Sequence, residues 1–269
     1  MFETTRAILA ISWKNALAWR FSMVLSLLTG PMIIFVNYTI WTAIYKTTGK
    51  MLLGGYTLEQ MITYTVISFT LGYLIWDDID ETLHEDILTG RLTSTLLKPM
   101  SYMYFHFLQK IGHRFLAMLI EYVPVIIITG FLLGFDVYTS HRIGYYLAAI
   151  PIAFVIRYFI QALLGIMAFW LVKPKGIKWV YRMASGFLAG IGFSLTLYPP
   201  VFQKIFFLLP FQFLAYVPTQ LFMGTYKLGN VTLSPPAVLA YGVLHAIVLY
   251  ILVMLAWKIS IKKYCGAGT

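Results

Sequence analysis

Phe21 to Tyr45 runs for twenty-five residues without one charged side chain, and comparable runs recur along the whole chain. A bilayer core of about 30 Å is crossed by roughly 20 helical residues, so runs of this length mark transmembrane helices. In hydrocarbon the backbone must satisfy itself, and with segments this long only helices do so. The composition agrees, at 60% hydrophobic and 11% charged residues with mean hydropathy +0.79. The expected fold is therefore all-α, a polytopic membrane protein forming one domain over residues 1–269.

Six spans are expected. They cover about 21–45, 57–76, 115–134, 143–172, 183–198 and 236–257. Residues 1–20 mix Phe2, Leu9, Trp13 and Leu17 with Arg6, Lys14 and Arg20, which suits a helix lying along the membrane surface. A plain basic flank reads equally well there. The Ala-Leu-Ala at 16–18 follows too short an apolar run to be a cleaved signal. Residues 199–223 are apolar but cut by Pro199, Pro200, Pro210 and Pro218. No piece between those prolines can cross, so a broken, re-entrant helix pair dipping into the outer leaflet is expected, packed against protein.

The cations set the orientation. With the N-terminus inside, fourteen Lys and Arg residues fall in inner segments, among them Arg91, Lys98, Lys110, Arg114, Lys173, Lys175, Lys178 and Arg182. Five fall outside: Lys46, Lys50, Arg142, Lys204 and Lys227. Both termini are expected in the cytoplasm. The net charge of +10 is thus an orientation signal, and no nucleic-acid partner is expected. A lone cysteine, Cys265, allows no disulfide or multi-cysteine metal site within the chain.

Against this background one polar stretch stands out, Trp76 to Ser101, WDDIDETLHEDILTGRLTSTLLKPMS. It holds Asp77, Asp78, Asp80, Glu81, Glu85 and Asp86, six of the ten acidic residues. Asp77, Glu81 and Glu85 are four apart, so a helix would stack like charges. Such a helix is costly unless cations meet it, and the expected source is a second protein. Gly90 offers a helix stop, and Arg91 to Leu97 forms a second short helix ending before Pro99. The expected docking face presents Leu83, Ile87, Leu92 and Leu96 beside the carboxylates and Arg91.

Within the spans, Glu121 and Arg157 are the deepest ionised groups. Each alone is expensive in hydrocarbon, so an ion pair between them is expected, as a structural staple or as a proton-coupling site. Gly186-x-x-x-Gly190, followed by Gly192 and Ser194, reads as a small-residue packing face. Thr63, Thr65, Ser68 and Thr70 supply hydroxyls along the second span. No GxxxxGK[ST] phosphate loop occurs, and GFSLT at 192–196 falls short of a nucleophile elbow. The five histidines are scattered, and no metal site is expected.

The whole arrangement resembles a type-two ABC exporter permease of the bacterial six-span branch. TGRLTSTLLKPMS at 89–101 is similar to that branch's phrase after the second span, and LLPFQFLAYVPTQLFMG at 208–224 to its segment before the last span. The resemblance implies a transport subunit without catalysis of its own, in the bacterial cytoplasmic membrane. It implies a second permease, the same chain or a paralogue, and P-loop ATPase subunits that bind the ATP and Mg. Asp77 to Leu97 would be the coupling segment. Thr63, Ser68, Gly190 and Ser194 would border the translocation path. Two other classes remain open. One is an ion- or proton-coupled carrier or channel resting on Glu121 and Arg157. The other is a membrane prenyltransferase using Asp78, Glu81 and Glu85 to hold a magnesium-diphosphate.

Overall fold

The computed structural model describes residues 20–134, 136, 140, 142–171, 175–224 and 226–264, with side chains at all of these except 20–28, 116, 117, 121 and 175. The expected surface helix at 1–20 lies outside the described residues, apart from Arg20, which opens the first helix.

The described chain is almost wholly helical. Helix α1 spans Arg20–Thr48 and carries Pro31 inside it. Helix α2 spans Leu58–Ile75 and starts on a reciprocal cap: Gln60 N–H donates to the Thr57 hydroxyl, and Thr57 N–H to the Gln60 side chain. Two short helices follow, α3 at Ile79–Leu88 and α4 at Arg91–Leu96, and Gly90 turns the chain between them in the left-handed conformation.

Helix α5, Tyr102–Ala117, continues into the third span. A π-turn at Met118–Tyr122 joins it to α6, Val123–Leu133. Pro124 explains the turn, because it lacks the N–H that would bond one turn back and the helix widens to pass it. Helix α7, Ile143–Ile166, and α8, Lys175–Ala189, come next. The segment 199–223 forms two short helices, α9 at Pro200–Leu208 and α10 at Tyr216–Met223, with a 3-10 turn between them. A small antiparallel hairpin pairs β1, Tyr226–Leu228, with β2, Val231–Leu233, and leads into α11, Pro235–Ser260.

Among the described residues, three helical stretches are long and apolar enough to cross a membrane: Tyr102–Leu133, Ile143–Phe169 and Pro235–Lys263. Helix α7 is the central post, packed against α11, α3 and α10. Its buried face carries Ala149, Ala153, Ile156, Ile160 and Ala162. Small side chains at that face let the neighbouring helices close in, the means by which membrane helices pack without a hydrophobic driving force.

The fifth span departs from expectation. The helix ends at Ala189 instead of running to Tyr198, and its 15 residues reach only about 22 Å. Gly190 adopts φ +74°, a left-handed turn that a side chain would resist. The Gly186-x-x-x-Gly190 motif is therefore a helix end, and a Cβ on Gly186 would meet nothing within 4 Å. The carbonyls freed by this break need donors in a dry place. Helices α1 and α2 supply them. Tyr64 Oη donates to Gly190 O at 2.6 Å, Thr65 Oγ1 to Gly192 O at 3.0 Å, and Trp41 Nε1 to Gly192 O at 3.1 Å. Gly192 N–H in turn donates to Ser68 Oγ at 3.1 Å.

Candidate functional site

The acidic run forms the joint between α2 and α3, at the end of the bundle opposite the β-hairpin. Asp77 opens it. Its Oδ1 accepts the Ile79 N–H at 3.0 Å, starting the turn into α3, while Oδ2 is buried without a hydrogen bond among the described residues. Gln161 on α7 donates to the Asp77 carbonyl at 3.2 Å. The remaining carboxylates fan outward to cations on three other helices.

Asp80 is buried against α8. Lys178 Nζ lies 3.2 Å from its Oδ2 and donates to its main-chain carbonyl at 2.8 Å. The next residue on α3, Glu81, pairs with Arg182, one turn along α8 from Lys178. Asp78 pairs with Lys110 on α5, and Lys110 also donates to Thr82 Oγ1 at 3.1 Å. Asp86 takes Arg91 Nε at 3.0 Å and the Tyr102 hydroxyl at 2.8 Å, while Glu85 takes Arg91 Nη2 at 3.2 Å. Every cation in this set belongs to the same chain. The expectation that another protein must neutralise the run is corrected accordingly: the like charges on α3 are separated among α4, α5 and α8.

The docking face is corrected too. Leu83 and Leu92 are fully buried, because α3 and α4 turn those positions toward Tyr102, Tyr158 and Ile166. Ile87 is half-buried, and of the expected apolar row only Leu96 is exposed. It shares the tip of α4 with Leu97, which is 83% exposed and so projects beyond the bundle. Leu88, Lys98 and Pro99 complete this surface. Asp78, Glu81 and Glu85 answer to Lys110, Arg182 and Arg91 respectively, so their spacing does not bring them together on one site.

Burial pushes the Asp77 carboxyl up to about 6, against the opposing pull of Lys110. For Asp78 burial acts in the same direction, but Lys110 outweighs it and holds that carboxyl below its usual value. A folded-state value raised above the unfolded one means that the folded chain binds the extra proton. Stability from Asp77 is therefore present below the unfolded carboxylate range and is lost as pH rises through about 6. Asp77→Asn keeps an acceptor for the Ile79 N–H and removes the charge. The variant is expected to be more stable than the native chain at pH 7.5, by on the order of 1–3 kcal/mol. It should match the native chain at pH 4, and thermal unfolding at the two pH values reads the difference.

Of the four residues expected along a path, Ser68, Gly190 and Ser194 are buried and hydrogen-bonded at the α8 break. Thr63 lies elsewhere, on a cavity of about 390 Å³ near the hairpin end that Glu59, Asp136 and Arg142 also line. Arg157 stands 5.0 Å from the Trp76 ring centroid and, among the described residues, has no carboxylate within 4 Å. The Glu121 side chain, its expected partner, lies outside the described residues.

Sequence reasoning passed over Lys110, Lys178 and Arg182 as site residues, reading them as orientation markers. Spacing offered no signal for these pairs: Lys178 and Arg182 are four apart, whereas their partners Asp80 and Glu81 are adjacent.

No curated protein matches the chain. A family model described as an ABC-2 family transporter protein matches residues 31–268, nearly the full length. With its apolar spans and this near-complete match, the chain belongs to the ABC-2 transporter family and is a multi-pass membrane permease of the type-two ABC class.

Proposed function

We propose that this permease works in an ATP-driven exporter, paired with a second permease and with P-loop ATPase subunits docked beneath α4. The observation that carries this reading is the division of labour within 77–97. The carboxylates of α3 are tied to α5 and α8, while α4 presents Leu96 and Leu97 unpaired at its tip. An apolar knob on a polar, bolted base is suited to sit in a groove of a soluble partner. Movement of that partner would reach α8 through Asp80–Lys178 and Glu81–Arg182, and α5 through Asp78–Lys110.

In this reading the chain has six spans. Helices α1, α2 and the α5–α6 unit supply three, and α7, α8 with its broken extension, and α11 supply the rest. Both termini and α3–α4 face the cytoplasm of a bacterium, as the cation count favours, and α9–α10 dip into the outer leaflet. The translocation path follows α2. Thr63 borders it, and Ser68, Gly190 and Ser194 hold the joint that bends the wall. ATP and Mg are bound by the ATPase subunits, and catalysis is theirs.

The test is gentle purification of the tagged chain from its native host, with mass-spectrometric identification of what accompanies it. A P-loop ATPase is expected with the native chain. Leu96→Asp/Leu97→Asp should lose it, because two charges at the knob oppose burial in a groove. Asp78→Asn/Glu81→Gln should retain it, since those carboxylates are already paired with Lys110 and Arg182 of the same chain. A native chain that carries no ATPase would sink the export reading. Loss with the carboxylate variant alone would return the dock to α3.

A further inference from the structure

A second cavity, of about 450 Å³, opens between α1, α2, α5 and α7. Its volume lies within the range of roughly 300–1,000 Å³ typical of small-molecule sites. Ile33, Phe69 and Ile191 give it apolar walls, and two guanidinia, Arg114 and Arg157, line the same space. Ile33 and Trp76 are exposed, so the cavity has an open rim.

The two arginines are held differently. Arg114 is anchored, with Nη1 donating to the Tyr73 carbonyl at 3.0 Å. Arg157 sits well inside α7, fourteen residues from its first position and nine from its last. Its Nε is buried without a hydrogen-bond partner among the described residues, and its guanidinium carbon is 5.0 Å from the Trp76 ring centroid. A ring face offsets part of the cost of desolvating a cation but satisfies none of its N–H groups. Arg157 is half-buried, and the Asp77 carboxylate acts on it electrostatically without an ion pair among the described residues, so the open Nε points to an anion that completes it. Guanidinia favour phosphate and carboxylate oxygens, which accept two N–H bonds at once.

We propose that this cavity binds an amphiphile with an anionic headgroup and one apolar chain. The headgroup sits on Arg157 and Arg114, and the chain lies among Ile33, Phe69 and Ile191. Gly72 on α2 marks the space the chain would take: it lines the cavity, and a Cβ there would meet nothing within 4 Å. A larger residue at 72 fills the cavity without displacing the surrounding helices. Binding requires neither ATP nor a partner, so it stands apart from the export reading.

The full chain in nanodiscs of zwitterionic lipid is titrated calorimetrically with dodecyl phosphate, dodecyl maltoside and inorganic phosphate. Dodecyl phosphate is expected to bind saturably, and inorganic phosphate at least tenfold more weakly. The uncharged maltoside should give no saturable signal. Arg157→Gln and Gly72→Leu should each weaken dodecyl phosphate at least tenfold. If Arg157→Gln does not fold, Gly72→Leu decides alone. Including an anionic phospholipid in the disc separates the sources. Suppression of the dodecyl phosphate signal identifies a bilayer lipid as the natural occupant, and a persistent signal identifies a non-lipid amphiphile. The proposal is overturned if dodecyl phosphate does not saturate, if the maltoside binds equally, or if Gly72→Leu leaves the affinity unchanged.

Discussion

Lys178→Met is expected to destabilise the protein by roughly 3–5 kcal/mol, the range for removing one partner of a buried ion pair. Asp80 is 2% exposed and Lys178 8%, so neither charge has water to fall back on. Without the ammonium, the Asp80 carboxylate keeps no cation among the described residues, where its Oδ1 already lacks a hydrogen bond. The double variant Asp80→Leu/Lys178→Met should recover most of the loss, because a well-packed apolar pair often equals or exceeds a buried ionic one. The neighbouring pair provides an internal scale. Glu81 and Arg182 are about half exposed, with side-chain accessibilities of 52% and 48%. Arg182→Met is therefore expected to cost no more than about 1 kcal/mol. Thermal unfolding of the four proteins in one nanodisc composition makes the comparison. Equal, small effects for Lys178→Met and Arg182→Met would show that water reaches Asp80, and the joint would then be a loose surface network.

The contrast shows what was legible in the chain and what was not. Six carboxylates in ten positions, in a protein of net charge +10, announce a built element, and that element is where α3 lies. Spacing alone does not say which carboxylates turn inward. Asp80 and Glu81 are adjacent, yet one is buried and the other exposed, because α7 covers one side of α3 only. The fifth span was misread for a related reason. Residues 183–198 are apolar enough to continue a helix, and what stops it is the set of donors on Trp41, Tyr64 and Thr65, more than a hundred residues earlier. Hydroxyls on α2 were visible in the sequence as polar groups in need of partners. Their acceptors, the carbonyls of Gly190 and Gly192, exist only once that break is made.

Gly165, outside the motif that drew attention, sets a close helix approach to backbone. A Cβ on Gly165 would stand 3.0 Å from Asp80 Cα and 3.1 Å from Leu83 Cδ2. The first of these is backbone and cannot rotate away, so α3 itself must shift. Gly165→Val adds a branched side chain at that contact, and overpacking of this kind costs about 1–3 kcal/mol. Only about a few tenths of a kcal/mol is offset by helix propensity, because valine is a poorer helix former than alanine and only slightly better than glycine. Geometry is the sharper readout. Lifting α3 from α7 separates Asp80 from Lys178 and opens the Lys178 amine to solvent. Brief amine labelling followed by mass spectrometry should find Lys178 protected in the native chain and modified in Gly165→Val, approaching the rate of the exposed Lys98. Gly186→Val is the control, because its Cβ meets nothing within 4 Å and it should leave Lys178 protected. Protection of Lys178 in both variants would mean that α3 tolerates the added volume in place. The ion pairs to α5 and α8, rather than its seat on α7, would then fix the position of α3.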